Sequence, residues 1–209
     1  LICAASVLTA QQTIYSPEAF SSSGDIFGTR NFVENKGAYK HPLLPSEDVA
    51  FVYECSGEKI YFSKTGVTYE LIYVPKLEEH EKEELEEKGL EDMSRAKKYY
   101  VQMHFQNAQS SVEIIGQEQQ SHYFTYGPKE LNAYAFKKIL YKNIYPKIDL
   151  LYEIPMDKTH GIKYSYILHP GADASIIDML YSGDIKRTKV TEEGDIVFKT
   201  PLWDVTEHA

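Results

Sequence analysis

Short stretches in which apolar and polar residues alternate constrain the fold of this chain more than any other feature. Residues 99–105 read YYVQMHF, so that one face of an extended chain carries only aromatic or aliphatic side chains. Residues 148–152 and 162–168 repeat this period of two. Apolar runs bounded by Gly-containing turns fill residues 49–74, which predicts an antiparallel meander. The pattern therefore predicts an all-β domain with an antiparallel, β-sandwich-like architecture.

The first ten residues, LICAASVLTA, are apolar and then small, which is typical of the end of a secretory signal peptide. We predict cleavage between Ala10 and Gln11; a buried N-terminal strand is the alternative. No initiator Met precedes this stretch, and the last residues begin a strand, so we expect both ends to be cuts from a longer protein. The predicted division is a leader remnant (1–10), a flexible polar arm (11–30) and a β-rich domain (31–209).

The chain has two cysteines, and one of them, Cys3, lies in the predicted leader. Removal of the leader leaves Cys55, so the mature domain can form no intramolecular disulfide. Cys55 ends the apolar run FVYEC, which favours an inert, buried thiol. A lipoprotein anchored through Cys3 is a weaker alternative, because Ile2 is larger than the residue expected before a lipidated cysteine.

Composition excludes some classes of partner. The chain has 22 Lys and Arg against 31 Asp and Glu, a net charge of −9. This balance disfavours nucleic acid, which is bound through basic patches, and also an electrostatic membrane anchor. The 17 Tyr and 9 Phe fit half-buried sheet surfaces, and a dedicated aromatic binding face is the alternative interpretation.

Residues 76–98, KLEEHEKEELEEKGLEDMSRAKK, interrupt the strand pattern with strong helix formers. Opposite charges four residues apart, as at Glu78 and Lys82, support a helix, but the few apolar residues give it only a thin face to bury. We predict a solvated acidic insertion, helical or disordered, between two strands. A metal site at His80 is much less favoured than a solvated charged face.

Two stretches after the insertion are ambiguous. Residues 111–115 and 121–126 each look like a short strand. The apolar spacing in residues 129–140 predicts a brief helix followed by an extended strand.

Candidate chemistry is sparse. His169 and Asp173 flank a Pro-Gly turn, and Asp173 is placed to cap a short helical turn at residues 174–179, which we favour over catalysis. Asp149 and Glu153 lie four apart on a strand, roughly 13 Å along an extended chain. That separation exceeds the roughly 5–9.5 Å between glycosidase carboxylates.

Motifs for metals, phosphates and hydrolytic serines give no further support for chemistry. The sequence contains no HExxH, CxxC or Gly-rich phosphate loop, and no serine lies in a G-x-S-x-G context. We expect no cofactor. Calcium is the most plausible ion for an extracellular module, although no EF-hand spacing occurs.

Several motifs recur in order along the chain. They are NFVENKG (31–37), YFSKTGVTYEL (61–71), YKNIYPKIDL (141–150), IKYSYILHPGAD (162–173), GDIVFKT (194–200) and VTE (205–207). Together they resemble the N-terminal domain of unknown function of large secreted proteins of Bacteroidota. That family often has a Trp soon after the NKG turn, where this chain has Ala38 and Tyr39.

The resemblance implies location and architecture. Such proteins often continue into SBBP, β-propeller-like repeats or adhesion-type modules, and end in a type IX secretion or gliding-motility-associated C-terminal domain. The family brings no catalytic residues to carry over. Downstream domains of the same polypeptide are then the expected partners.

We therefore expect a non-catalytic structural or adhesion-presenting module of a secreted, cell-surface protein, without nucleic-acid binding or membrane insertion. A carbohydrate-binding module is the alternative, with Tyr123, Tyr126 and Tyr134 as residues that could stack on sugar faces and surface glycans as partners. A glycoside-active enzyme domain is a weaker alternative.

Overall fold

The structure is a computed structural model of the chain. It describes residues 6–14 (as backbone), 30–55, 58–75, 96–126, 131–155 and 161–208. These residues form fourteen strands, all in antiparallel pairs: β1 Ser6–Ile14, β2 Phe32–Glu34, β3 Val49–Cys55, β4 Glu58–Ser63, β5 Gly66–Tyr73, β6 Lys97–Phe105, β7 Glu113–Tyr126, β8 Leu131–Tyr145, β9 Ile148–Glu153, β10 Ile162–Leu168, β11 Met179–Gly183, β12 Arg187–Val190, β13 Ile196–Lys199 and β14 Asp204–His208. No helix in these ranges is long and apolar enough to cross a membrane.

The strands form one continuous sheet in the order β11-β6-β5-β4-β3-β2-β8-β9-β10-β1-β14-β13-β12, with β7 paired to β8. The sheet curls so that its two halves face each other. Phe62 on β4 packs edge-on against Tyr152 on β9 with 5.2 Å between ring centroids. The ring centroids of Tyr181 on β11 and Phe198 on β13, near the opposite end of the strand order, are 4.4 Å apart. The predicted all-β, antiparallel, sandwich-like class is confirmed.

The space between the halves is filled mainly by aromatic side chains. Tyr152 contacts Tyr141 and Tyr164 as well as Phe62, at centroid distances of 5.2–5.9 Å. These rings are at most 2% exposed. Aromatic residues bury 150–250 Å² each, so a few of them can fill a wide core between two curved faces. Seven of the 17 Tyr are buried in this core, which explains part of the abundance of Tyr in the sequence.

A loop covers part of the outer face. The amide side chain of Asn35 organises the turn after β2, because its oxygen accepts N–H bonds from Gly37 and Tyr39 at 3.0 and 3.1 Å. Tyr39 then lies against the second, smaller buried cluster. Its ring is stacked under the Lys59 ammonium at 5.1 Å, and its hydroxyl donates to Glu54. Tyr39 thus supplies the aromatic contact after the NKG turn.

Two sequence predictions are wrong. Residues 131–140 belong to the long strand β8 and not to a helix, because this segment pairs with β2, β7 and β9. Residues 113–126 are one strand, β7, with a bulge between Gln119 and Tyr123 where two short strands were predicted. In both places the pairing partners decide the conformation and the local pattern does not.

Other predictions fare differently. Asp173 is the predicted cap, and its carboxylate accepts from the Ser175 N–H at 3.0 Å, although the helical turn is only the 3-10 segment Ala174–Ile176. Residues 76–95 of the predicted insertion lie outside the described residues, and β6 begins at Lys97. Residues 6–14 form β1 between β10 and β14, and the leader remains a prediction.

Candidate functional site

A carboxylate inside the sheet is bound by two phenols. Glu207 is on β14 and 6% exposed, and it accepts hydrogen bonds from the hydroxyls of Tyr164 on β10 and Tyr181 on β11. Burial first, and the nearby Glu207 carboxylate second, raise the pKa of both tyrosines far above the usual value. The phenols therefore stay protonated donors. This arrangement links three strands and uses the carboxylate for structure.

A second buried acid lies on the outer face. Glu70 on β5 is 1% exposed and accepts from the Tyr61 hydroxyl at 2.5 Å, while the Lys98 ammonium lies 2.6 Å from its other oxygen. The hydrogen bond from Lys98 to Glu70 raises the pKa of Lys98, and burial lowers it by a smaller amount. The ammonium of Lys98, on the neighbouring strand β6, thus balances the negative charge of Glu70.

A buried histidine anchors the loop on the outer face. His41 is 4% exposed, and its Nδ1 accepts backbone N–H bonds from Leu43 and Leu44 at 3.2 and 2.9 Å. Its Nε2 lies 2.9 Å from Thr68 Oγ1. A nitrogen that accepts two N–H bonds carries no proton, so the ring is neutral with its proton on Nε2. Burial lowers the pKa of His41, partly offset by Glu47 and reinforced by His104.

In the same loop, Glu47 accepts hydrogen bonds from polar side chains near His41. The Ser63 hydroxyl donates to Glu47 at 2.5 Å, and Thr65 donates to the same carboxylate. Glu47 Oε2 lies 3.9 Å from His41 Nε2. A serine, a histidine and an acid thus meet here, but the serine bonds the acid directly. That order lacks the serine-to-histidine hydrogen bond that a hydrolase needs.

The exposed His169 and the buried Asp149 form a pair that the sequence analysis did not connect. His169 Nε2 lies 2.7 Å from Asp149 Oδ2, and Asp149 Oδ1 accepts the Asn143 N–H at 2.6 Å. Asn143 has φ +52°, so the carboxylate stabilises a left-handed residue next to the β8–β9 hairpin. His169 faces Asp149, and Asp173 is occupied by the 3-10 cap.

An open groove lies beside this hairpin. It has a volume of about 450 Å³ and is lined by Gln109, Ser111, Glu113, Lys142, Asn143, Pro146 and Lys147. Gln109 donates its side-chain N–H to the Asn143 carbonyl at 2.8 Å, which holds one wall in place. The lining is polar and carries both signs of charge, so it does not select one class of ligand.

The structure brings together two of the three tyrosines predicted to bind sugars. Tyr123 on β7 and Tyr134 on β8 are direct cross-strand partners, and 54% and 41% of their surfaces are exposed. Partners placed in this way have Cβ atoms about 4.5–5.5 Å apart on one face. The third, Tyr126, pairs with Leu131 at the end of the same β7–β8 ladder, and the structure describes its backbone but not its side chain.

The acid pair of the sequence analysis is divided between different partners. Asp149 bonds His169 and the hairpin, whereas Glu153 at the other end of β9 lies between Lys138 and Lys163 at 4.0 and 3.4 Å. A third acid, Glu58 at the start of β4, has its pKa raised to about 8 by burial. Across the described residues, no group of three or more His, Cys, Asp or Glu side chains could hold a metal ion.

Sequence reasoning missed Glu207 and His41, and one signal was available. Val205 and Glu207 share one face of β14, Trp203 lies immediately before the strand, and all three are buried. An acid on the buried face of an alternating strand indicates a hydrogen-bonded carboxylate, since buried charges are paired. His41, by contrast, lies in a loop where no periodicity marks burial.

Comparison with known proteins gives one match. A family model described as a domain of unknown function (DUF7948) matches residues 32–209. No curated protein matches the chain, and no solved structure matches it. The matched region begins at β2 and covers every later strand.

Proposed function

The chain belongs to the DUF7948 family of domains of unknown function. We propose that it is a non-catalytic structural module of a secreted, cell-surface protein. One observation carries the proposal: the buried acids and the buried histidine each serve the fold. Glu207 and Glu70 accept phenol hydrogen bonds, and His41 accepts two backbone N–H bonds. Catalytic acids and bases are instead held where substrate reaches them.

The module would present other domains of the same polypeptide at the surface of the cell. The motifs that resemble secreted proteins of Bacteroidota support this part of the proposal, together with the leader-like residues 1–10. In that setting the chain continues into repeats or adhesion-type modules and is exported by a type IX secretion or gliding-motility-associated domain.

The test is the location and N-terminus of the natural protein in its own cells. Surface digestion by an added protease, followed by mass spectrometry, reports both. The proposal predicts an extracellular protein whose first residue is Gln11. A protein that is retained inside the cell with residues 1–10 in place would overturn it.

The exposed tyrosine pair favours carbohydrate binding as a second candidate function. Two rings side by side on one face form a platform on which a sugar can stack. Tyr123 and Tyr134 are cross-strand partners and both are exposed, which supports this candidate.

Binding to surface polysaccharides measured by calorimetry tests this candidate. The double variant Y123A/Y134A should abolish binding, while Y73A should leave it intact. Tyr73 on β5 is a matched control because it is 37% exposed and lies outside the pair. Equal loss in Y73A, or no binding by the unmodified chain, would contradict the candidate.

A further inference from the structure

Strand β1 divides into two halves that have different neighbours. Residues 6–10 pair with residues 164–168 of β10, and residues 13 and 14 pair with β14 alone. Gln11 and Gln12 pair with both strands, so the change of partner falls at these two residues. The predicted cleavage between Ala10 and Gln11 lies at the same point. The part that cleavage would remove is therefore the part that covers β10.

Removal of residues 1–10 would leave residues 164–168 of β10 with one paired edge. Its other edge is bonded to β9 from Ile148 to Glu153. Unpaired backbone groups at a buried position cost free energy unless another partner replaces the lost one. Tyr164, Ser165 and Tyr166 are at most 6% exposed while residues 6–10 are paired to them, so removal of residues 6–10 would uncover backbone groups that are now covered.

We propose that the mature module is a strand acceptor: the edge of β10 at residues 164–168 binds an extended segment of another polypeptide, which adds as an antiparallel strand in place of residues 6–10. This is recognition by strand addition, in which backbone hydrogen bonds supply the affinity. The segment that occupies the position here, Ser-Val-Leu-Thr-Ala, is small or apolar and free of proline and charge. The partner segment has the same chemistry.

The two ends of the sheet order do not offer an equivalent acceptor. β12 has all four residues exposed and carries Arg187 and Lys189, and charged side chains of this kind protect a natural sheet edge against pairing. In β11, at the other end, no residue is buried. The β10 edge differs from both because residues 164–166 are buried and a strand of this chain, residues 6–10, already occupies that edge.

This inference rests on the removal of residues 1–10 in the proposed function. Its test uses purified chains only, so it fails or succeeds independently of where the natural protein is found. Hydrogen exchange measured by mass spectrometry compares three samples: residues 1–209, residues 11–209, and residues 11–209 with the peptide SVLTA. That peptide repeats residues 6–10, which pair with residues 164–168.

The inference predicts that, among residues 164–168, the amides that point toward residues 6–10 are protected in the longer chain and exchange faster by about tenfold or more in the shorter chain. The peptide should restore protection there and leave the β12 amides unchanged. A peptide with proline at the positions of Leu8 and Thr9 should have no effect, since successive residues of a strand point their N–H groups to opposite sides and proline has none.

Each remaining outcome decides the matter. If residues 11–209 are unfolded alone and the peptide folds them, the acceptor is confirmed by complementation. Failure of the peptide to fold an unfolded chain would overturn the inference. So would protection of the β10 amides without peptide, whether through a shift of residues 11–14 or through pairing of two copies seen by light scattering.

Discussion

Tyr181 on β11 donates a hydrogen bond to Glu207 on β14, although β11 is the first strand of the sheet order and β14 lies near its other end. The same carboxylate accepts from Tyr164 on β10. The curled sheet is thus joined across its interior by one acid and two phenols. In a buried site, two hydroxyl donors replace the hydrogen bonds that a carboxylate would otherwise accept from water.

Replacing Tyr164 by Phe should therefore destabilise the fold by about 1.5–3 kcal/mol, because a hydrogen bond to a charged group is lost. Tyr166→Phe is the matched control. Tyr166 lies two residues along the same strand and is buried, but its hydroxyl has no hydrogen-bond partner among the described residues. Removing an unpaired hydroxyl should leave stability unchanged or slightly raise it. Urea unfolding at constant m-value measures both, and equal losses would contradict the assigned role of Glu207.

The neutral state of His41 makes stability depend on pH. Because burial lowers its pKa below 6.5, the folded protein binds fewer protons at this site than the unfolded chain. The contribution to stability is fully present above pH 6.5 and declines as the pH falls through the folded-state pKa. Protonation would also break the two N–H bonds to Nδ1.

His41→Gln tests this account, since glutamine can accept and donate hydrogen bonds but does not titrate. The fall in unfolding free energy between pH 7.5 and pH 5 should be smaller in this variant than in the unmodified protein. His122→Gln controls for the loss of a histidine elsewhere in the sheet. An unchanged pH dependence in His41→Gln would show that the ring does not couple protonation to folding.

Asp149 should behave as the anchor of a hairpin. Asp149→Ala removes the acceptor of the Asn143 N–H and should cost about 1–2 kcal/mol, whereas Asp149→Asn keeps an acceptor and should cost less. Hydrogen exchange at Asn143 should quicken in the alanine variant alone. Equal effects of the two variants would mean that the charge, and not the hydrogen bond to the backbone, is what matters.

Gly66 is required by the close approach of β5 and β6. A Cβ at this position would collide with the backbone carbonyl oxygen of Met103, which cannot turn away. Gly66→Ala should lower stability by about 1–3 kcal/mol, as overpacking does. Gly116→Ala is the control, because its Cβ would meet the Phe136 ring, a side chain that can move. Thermal unfolding should show a smaller loss there, and a tolerated Gly66→Ala would contradict the packing of these strands.

Alternation in the sequence predicted many of the strands well. The meander predicted over residues 49–74 is formed by β3, β4 and β5. The alternating positions of β9 and β10 are buried at Ile148, Leu150, Tyr152, Tyr164 and Tyr166. The signal failed in β8, whose apolar residues are spaced partly as in a helix. That strand is paired to neighbours along its length, and those long-range bonds override local preference.

The candidate sites were less accessible to sequence reasoning. Tyr123 and Tyr134 were singled out for their type, but their pairing depends on a bulge that no local pattern revealed. His169 was considered with Asp173 and Asp149 with Glu153, because these are neighbours along the chain. The actual pair, His169 and Asp149, comes from the ends of two adjacent strands. Contacts between strands depend on register, which a single sequence does not specify beyond the turn.

Product analysis is the most direct test of the central claim that this module has no catalytic activity. The purified chain is incubated with surface polysaccharides, peptides and simple esters, and the mixtures are examined by mass spectrometry. The account predicts unaltered substrates with the unmodified chain and with Asp149→Asn alike. Product released by the unmodified chain and lost in Asp149→Asn would contradict it and make the Asp149–His169 pair an active site.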